Sequence, residues 1–326
     1  MKKTSEVYKK LYHYTTWEGL RGIIENQTLW ATNYKFLNYY SEIIFFKDKL
    51  ISLIYPYVLD GFKELIRHRP DVKQKVNREG GLQKVVQHDA KGLVKAQYEA
   101  LGDEIYILSF CGEPERTSIA NNGLLSQWRG YGTGGGAALI FDTKKLEQVL
   151  AIEVKRFEYG AVIIADIIYS DDEQKLQEEL SDDLAILADL AKLFFNHKNL
   201  SQKIVTEAEK VFYPFIRCIS RYKHYGFSEE NEVRVVALPT VIDGEYLKLA
   251  KTNGAILVPE KKRKFRRRKG KKVPYIELFD SDDIDLPIEK IVVGPHKEKE
   301  TRAATLRKRL KKTNIEITCS DIPYVG

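Results

Sequence analysis

The stretch Leu11–Asn33 constrains the fold of this chain more than any other part of its sequence. Leu11–Thr16, an apolar and aromatic run, predicts a β-strand that carries one histidine beside hydroxyl residues. Trp17–Asn26 has the periodicity of an amphipathic helix, and Thr28–Asn33 predicts a second strand. This order of strand, helix and strand places His13 in a β-sheet near the start of the chain.

A second polar strand is predicted far downstream. The run Glu230-Asn231-Glu232-Val233-Arg234 is expected to place two carboxylates and a guanidinium on one face, because side chains alternate along a strand. Taken alone, a histidine in an apolar strand is usually a hydrogen-bonded core residue, and a Glu-x-Glu strand is usually a solvated face. Together, the two features outline a nicotinamide-nucleotide pocket.

These residues resemble the ADP-ribosyltransferase superfamily. His13-Tyr14-Thr15, the Ile/Leu-rich helix and the Leu-x-x-Thr-Asn strand are similar to the first pocket strand of its diphtheria-toxin-like and poly(ADP-ribose) polymerase branch. In that branch, a histidine followed by a small or hydroxyl residue binds the nicotinamide ribose and carboxamide.

The whole chain also resembles a widespread bacterial domain family of unknown function, proposed to be a divergent branch of this superfamily. The matching pieces are Leu11–Thr16, Leu37-Asn38-x-x-Ser41-Glu42, Ser109-Phe110-Cys111, Trp128-x-x-Tyr131, Ala138–Asp142, Lys223, Glu230-x-Glu232-x-Arg234, Ile291–Pro295 and Ile322-Pro323-Tyr324. Where that family usually has Asn-Asp after the second strand, this chain has Asn38-Tyr39.

The resemblance implies an α+β fold with a split antiparallel or mixed β-sheet core of the ADP-ribosyltransferase type. Strands that alternate irregularly with helices also favour α+β over a doubly wound sheet. We expect one domain over residues 1–326, with helical insertions at about 42–103 and 172–222 and a basic loop at 261–272. Further strands are predicted at Ala151–Phe157, Ala161–Tyr169, Tyr246–Leu249 and Ala255–Val258.

The resemblance also implies a set of site residues. Glu232 is the expected catalytic carboxylate, Glu230 is expected to orient it or to activate the acceptor, and Arg234 to keep it ionised or to neutralise a diphosphate. The other expected contacts to the cofactor are His13, Tyr14, Thr15, Trp128, Tyr131 and Lys223. Core packing is the usual explanation for the Trp128 and Tyr131 pair, and Tyr131 is the preferred stacking platform. We expect His13, Thr15, Tyr131 and Glu232 to converge around one cleft.

Positive charge is concentrated in residues 261–272, which hold ten basic residues and no acid. Subtracting these ten from the 53 basic residues leaves 43 against 46 acidic ones, so the rest of the chain is slightly acidic. Such a run repels itself and is expected to form a loop or an extended hairpin tip. We expect it to bind nucleic acid through Lys264, Arg266, Arg267, Arg268 and Lys269. The alternative is a solvated hairpin that binds nothing specific.

Composition and motifs exclude several other classes. No apolar run reaches membrane-spanning length and no signal-peptide core is present, so we expect a cytoplasmic protein without a membrane partner. The three cysteines and six histidines show no metal-binding spacing, so we expect reduced thiols and no metal. Gly130–Gly136 lacks the Gly-Lys-Ser/Thr of a phosphate-binding loop, and we expect it to let the backbone lie close to a ligand or another strand. The sequence contains no Gly-x-Ser-x-Gly elbow, so a serine hydrolase is disfavoured.

Together these features predict NAD-dependent ADP-ribosyl transfer, with NAD as the substrate and nucleic acid as the acceptor that the basic segment suggests. The resemblance implies a setting of bacterial phage defence or toxin-type conflict. One alternative is an NAD glycohydrolase, in which water replaces the acceptor. Another is a non-catalytic module that binds nucleic acid or senses a nucleotide without turnover.

Overall fold

The computed structural model describes residues 2–37, 39–196, 201–244, 247, 252, 257–281 and 283–323, and the side chains of these residues except 39, 40 and 190–210. Several sequence-based expectations lie outside the described residues: Asn38, Tyr324 and most of the predicted strands Tyr246–Leu249 and Ala255–Val258.

Strands and helices alternate along the described chain. The strands are β1 (Lys10–Thr15), β2 (Leu29–Asn33), β3 (Tyr106–Gly112), β4 (Ala137–Asp142), β5 (Tyr159–Asp166), β6 (Ile168–Tyr169), β7 (Tyr222–Lys223), β8 (Glu232–Pro239), β9 (Arg263–Arg268), β10 (Lys271–Leu278), β11 (Ile288–Val293) and β12 (Glu316–Cys319). The α-helices are α1 (Thr4–Val7), α2 (Trp17–Asn26), α3 (Tyr39–His68), α4 (Pro70–Arg78), α5 (Leu82–Ala100), α6 (Thr117–Asn122), α7 (Leu125–Tyr131), α8 (Thr143–Arg156), α9 (Glu173–Asn196), α10 (Ser201–Ser220) and α11 (Lys299–Arg309).

The chain divides into two compact units. The sheet unit comprises Met1–Asn33, Ile105–Asp166 and Phe227–Gly326, and the helical unit comprises Tyr34–Glu104 and Ile167–Gly226. The predicted helical segments at about 42–103 and 172–222 fall within the helical unit. That the chain is a single domain stays a prediction.

The sheet unit is built on one mixed β-sheet. Its strand order is β12-β11-β4-β1-β3-β2-β10-β9, with β8 pairing both β3 and β5. β11 and β12 run parallel, whereas the other pairings recorded for this sheet are antiparallel. The predicted α+β class and a mixed sheet are therefore confirmed.

One face of the sheet, called the core face, forms the main hydrophobic core. Helices α2, α8 and α11 contribute Leu20, Leu146 and Leu306 to this core. The strands contribute the side chains of alternate residues, which lie on this face: Leu11, Leu29, Ala31, Phe110, Leu139, Val233, Val235, Ile276 and Ile291. The opposite face, called the second face, holds a smaller cluster: Tyr12, Tyr14, Trp128, Ala138, Ile140 and Val292.

The sequence predicted the start of this sheet closely. β1, α2 and β2 are found where the strand, helix and strand were expected, and Thr16 caps α2 by accepting a hydrogen bond from the Gly19 amide at 3.1 Å. The predicted strand Ala151–Phe157 is wrong, because α8 continues to Arg156. Within α8 the side chains of Leu146, Leu150 and Glu153 are buried, which is the spacing of one helical face.

The helical unit contains α3, α4, α5, α9 and α10, with β6 and β7 paired in parallel. Phe46 on α3 stacks on Tyr222 of β7, with ring centroids 4.8 Å apart. In the described part of the chain, no helix is both long enough and apolar enough to cross a bilayer.

Candidate functional site

The sheet splits beside β3. β1 and β2 both pair with the edge of β3 that faces away from β8. β1 pairs with the end of β3, Leu11 with Gly112 and Tyr12 with Cys111. β2 pairs with its start, Thr32 with Ile107 and Asn33 with Tyr106. β8 pairs along the other edge, Tyr106 to Cys111 with Ala237 to Glu232. Among the described residues, Leu108 to Phe110 therefore have no strand on the edge that β1 and β2 share.

His13 lies at this split. Its Nδ1 atom is 3.0 Å from the carbonyl oxygen of Ser109, and its ring meets that of Phe110 edge-on at 5.7 Å. A carbonyl oxygen accepts hydrogen bonds, so Nδ1 carries a proton in this contact. Burial lowers the pKa of His13, and the bond to the Ser109 carbonyl raises it by less. The neutral imidazole of His13 therefore binds the Ser109 carbonyl on the edge of β3 where no strand pairs with Leu108 to Phe110.

Protonation of His13 should destabilise the folded chain. Burial holds its pKa below the ordinary value of 6.5, near which the unfolded chain titrates. Between these two pKa values the unfolded chain binds more protons, so the free energy of unfolding falls with falling pH by up to about 1.4 kcal/mol per unit. The contribution is complete above pH 6.5 and is lost below the folded-state pKa. Urea denaturation across this range measures the slope.

His13→Asn should flatten that slope, because an asparagine amide still donates to the Ser109 carbonyl and does not titrate. His68→Asn, at an exposed position in α3, is the matched control for the loss of an imidazole. If wild type and His13→Asn show the same slope, the assigned role of the neutral imidazole is wrong.

Glu232 and Arg234 form a buried ion pair on β8. Nε of Arg234 lies 2.8 Å from Oε1 of Glu232 and Nη2 lies 2.9 Å from Oε2, so the guanidinium grips both carboxylate oxygens. The two side chains are only 7% and 3% exposed. The Ser109 hydroxyl donates to Oε1 of Glu232 at 2.7 Å. Among the described contacts, the carboxylate is held by these three donors, one of which is the exposed Ser109.

His13 and Glu232 project from opposite faces of the sheet. His13 is opposite Leu139 in the register of β1 and β4, so it shares the core face. Glu232 is opposite Cys111, which packs against the cluster of the second face. The expectation that the His13 and Glu232 side chains converge around one cleft is therefore wrong. They are joined by Ser109, whose carbonyl contacts His13 and whose hydroxyl contacts Glu232.

Glu230 does not share a strand face with Glu232. It is the last residue of the 3₁₀ helix Tyr225–Glu230, and Asn231 follows with a left-handed φ of 42°. The Tyr8 hydroxyl donates to Oδ1 of Asn231 at 2.9 Å, and the Gly112 amide donates to its carbonyl at 2.7 Å. These bonds hold the turn, so β8 begins only at Glu232. The predicted pair of carboxylates on one face is wrong.

Two of the predicted cofactor contacts are core residues. Trp128 is 1% exposed, donates from Nε1 to the Asn122 carbonyl at 2.9 Å and packs edge-on against Tyr14 at 4.9 Å. The Tyr14 hydroxyl accepts a hydrogen bond from the Leu124 amide at 2.9 Å, and burial raises its pKa. Both side chains are buried in the core, and a contact of Trp128 or Tyr14 with a cofactor stays a prediction.

Tyr131 and Thr15 remain at the edge of this cluster. Tyr131, the last residue of α7, is 52% exposed, unlike Trp128 on the same helix. Thr15 is the last residue of β1 and lies against the glycine-rich segment Gly130–Gly136. A Cβ atom on Gly136 would lie 1.9 Å from the Thr15 carbonyl oxygen. A Cβ on Gly132 would lie 2.7 Å from the Trp128 ring. This segment lets the backbone lie close to β1, one of the two alternatives that the sequence predicted.

Lys223 belongs to the helical unit. It lies on β7, and its Nζ atom is 3.9 Å from Oε1 of Glu42. A contact between Lys223 and a phosphate stays a prediction.

No group of three His, Cys, Asp or Glu side chains suited to a metal ion is found among the described residues.

The basic segment is a β-hairpin made of β9 and β10. Lys269 and Gly270 form its turn with φ values of 48° and 78°, which suits a tight two-residue hairpin turn. Lys264, Arg266 and Arg268 alternate onto the second face, whereas Arg267 lies on the other face. Lys261 contradicts the expectation of a fully solvated run, because it is 1% exposed and pairs with Glu153 at 2.7 Å.

Sequence comparison identifies one known family in the chain. A family model described as "Protein of unknown function (DUF2971)" matches residues 127–235. The matched stretch includes Trp128, Tyr131, Lys223, Glu232 and Arg234, whereas His13 and the basic hairpin lie outside it. The match gives no link to the ADP-ribosyltransferases. Neither the curated proteins nor the solved structures contain a match to this chain.

Ser109 is the site residue to which the sequence analysis assigned no role. It is the polar member of the otherwise apolar run 105–110, and that interruption was the available signal. Its importance arises from the register of β3 with β8, which places it opposite Arg234.

Proposed function

We propose that this chain cleaves the N-glycosidic bond of NAD and transfers ADP-ribose to an acceptor in the cytoplasm. The observation that carries the proposal is the Ser109, Glu232 and Arg234 cluster, which lies at a split between strands. The sheet splits between β1, which carries His13, and β2, and Ser109 of β3 lies at that split and contacts Glu232 of β8. A split sheet core is what the sequence resemblance implied.

The proposed chemistry begins with cleavage of the bond between ribose C1′ and the nicotinamide nitrogen. Nicotinamide leaves with the bonding electron pair, and positive charge develops on the ribosyl ring. A fixed carboxylate such as Glu232 stabilises that charge where water is scarce. An acceptor N–H or O–H group then bonds to C1′ and releases its proton. Ser109 and Arg234 position the carboxylate, so the geometry exists before the substrate binds.

The opposite faces of His13 and Glu232 limit how NAD can bind. We propose that the ribose lies at the exposed Ser109 side of the split, in contact with Glu232. Tyr131 is the proposed stacking partner for nicotinamide or adenine, because its ring is exposed. His13 is proposed to hold the split open through Ser109, so its influence on the pocket passes through the backbone of β3.

Incubation of the full chain with NAD labelled in the adenosine moiety tests this proposal. We expect free nicotinamide to appear and label to be recovered in added nucleic acid. Nicotinamide with free labelled ADP-ribose would instead identify a glycohydrolase. If no nicotinamide is released with any added acceptor, the enzyme proposal is wrong and a non-catalytic binding module replaces it.

The proposed biological setting is phage defence or another toxin-type conflict in bacteria. It rests on the sequence resemblance. We expect expression of the wild-type chain to slow growth of the host more than expression of a variant that lacks the Glu232 carboxylate.

A further inference from the structure

An exposed tryptophan stands beside the basic hairpin. Trp30 on β2 is 38% exposed, although its neighbours Leu29 and Ala31 are fully buried. Its ring lies on the second face and packs on Tyr275 of β10, with centroids 4.3 Å apart and planes tilted by 31°. Tyr275 is 7% exposed and packs against the indole on the same face, which fixes the position of Trp30 while part of this residue stays open to solvent.

Arg266 is placed next to this ring. Its guanidinium lies 5.4 Å from the Trp30 ring centroid, and Nη2 donates to the Thr32 hydroxyl at 3.0 Å. Its Nε atom is buried and has no hydrogen-bond partner among the residues that the structure describes. No carboxylate among the described residues forms an ion pair with Arg266. A tryptophan and an unneutralised arginine thus share one surface, here called the platform, which comprises Trp30, Thr32, Arg266 and Tyr275.

The charges of the hairpin are compensated unevenly. At its base, Lys261 pairs with Glu153, Arg263 approaches Glu260 and Lys264 pairs with Glu277. The basic residues nearer the turn form no ion pair with any described residue: Arg266, Arg267, Arg268, Lys269, Lys271 and Lys272. The uncompensated positive charge is therefore concentrated around the platform and the hairpin tip, where a polyanion can neutralise it.

The platform lies on the same sheet face as the candidate site. Thr32 pairs with Ile107, and Ser109 follows two residues later on the second face. Diagonal neighbours of this kind lie about 7–8 Å apart. Ser109 in turn is opposite Arg234 in the register of β3 and β8. A ligand that lies along the platform therefore reaches the exposed Ser109 hydroxyl.

We propose that the platform binds single-stranded nucleic acid, with one base stacked on Trp30 and a backbone phosphate on Arg266. An aromatic ring beside cations suits unpaired bases, whose faces are free, whereas the bases of a duplex are already stacked. That the bound strand is the acceptor for ADP-ribose rests on the proposed function. The binding itself does not require catalysis.

Binding of a fluorescently labelled oligonucleotide to the full chain, without NAD, tests the platform. Trp30→Ala should weaken binding of a single strand about 5- to 150-fold, the range for loss of one base–aromatic contact. Phe265→Ala is the matched control, because Phe265 is 52% exposed next to Arg266 on β9 but lies on the opposite face of the sheet from Trp30. It should leave binding nearly unchanged. Trp30→Tyr keeps an aromatic ring and should restore most of the affinity.

A second pair of variants tests the phosphate contact. Arg266→Ala should lower the slope of log affinity against log salt by about 0.7, the value for one phosphate contact with a single strand. Arg267→Ala removes the same charge from the opposite face and should change the slope less. A duplex of the same sequence should bind more weakly than the single strand to wild type.

Equal binding by Trp30→Ala and Phe265→Ala, or a duplex that binds as tightly as the single strand, would overturn the platform. This failure is separable from failure of the enzyme proposal. Nicotinamide release without single-strand binding removes the platform and leaves the enzyme. Single-strand binding that depends on Trp30 without nicotinamide release leaves the platform and removes the enzyme.

Discussion

Glu232→Gln should lower the rate of NAD cleavage by about 10²–10³-fold, the usual loss when one preorganised electrostatic group is removed from a site. The substitution keeps the volume of the side chain and removes the charge that opposes the developing ribosyl cation. Nicotinamide release under saturating NAD measures the loss. Glu230→Gln is the matched control, because Glu230 lies in the turn before β8 and should leave the rate close to that of wild type.

Glu232→Gln also changes a buried ion pair, and this effect must be separated from catalysis. Arg234 is 3% exposed and donates to both oxygens of Glu232. Breaking a buried pair by removing one charge costs on the order of 3–5 kcal/mol, because the remaining charge loses the counter-ion of that pair. A loss of rate in the single variant can therefore arise from a perturbed strand.

The double variant Glu232→Gln with Arg234→Gln separates the two effects. It removes both buried charges and leaves two amides that can hydrogen-bond, so the free energy of unfolding should recover towards that of wild type. The rate should stay low, because the carboxylate is still absent. A double variant that recovers both stability and the rate of nicotinamide release would show that Glu232 serves the fold and not the chemistry.

The sequence predicted the local elements well where one face of each element is buried. β1, α2 and β2 follow their hydrophobic periodicity. The predicted strand Ala151–Phe157 failed because the last turns of α8 bury Glu153, an acid whose partner Lys261 is distant in the sequence. Periodicity cannot identify a charged residue as buried until its partner is known.

The candidate site was predicted in part, and its errors share one cause. Asn231 adopts a left-handed conformation that local pattern does not show, so the strand begins after Glu230. The faces of His13 and Glu232 follow from the register of β1, β3 and β8, which depends on where the sheet splits. Residue type identified Glu232 and Arg234. Their relation to His13 required the pairing of strands far apart in the chain.

The net charge of residues 261–272 likewise predicted less about their binding surface than the position of each charged side chain does. Ten basic residues in one run suggested a uniformly solvated segment. In the structure its base is neutralised by acids from α8 and β10, and alternation divides its tip between two faces. The binding surface therefore includes Trp30 and Thr32 from β2, which no inspection of residues 261–272 alone could reveal.

Lys261→Met should destabilise the folded chain by about 3–5 kcal/mol, because it leaves a buried carboxylate without its counter-ion. Lys261 and Glu153 are each 1% exposed, and their charged atoms lie 2.7 Å apart. Asp280 also pairs with Lys261, and the ammonium lies 3.8 Å from the centre of the Phe157 ring. The free energy of unfolding in urea measures the effect.

The pair fixes the base of the basic hairpin as well as the core. Glu153 also accepts hydrogen bonds from the Tyr159 hydroxyl at 2.7 Å and the Phe279 amide at 3.0 Å, so it joins α8 to β5 and to the residue after β10. Loss of Lys261 should therefore loosen the hairpin relative to the sheet and weaken single-strand binding, even though Lys261 is too buried to reach a phosphate.

Two further variants determine whether the missing counter-ion causes the loss. Lys262→Met, at the exposed neighbouring position, should change the free energy of unfolding by no more than about 0.5 kcal/mol. Lys261→Met combined with Glu153→Gln should recover much of the stability, because no buried carboxylate is then left unpaired. If Lys261→Met is as stable as Lys262→Met, Lys261 does not hold the hairpin, and Glu153 is compensated by its hydrogen bonds alone.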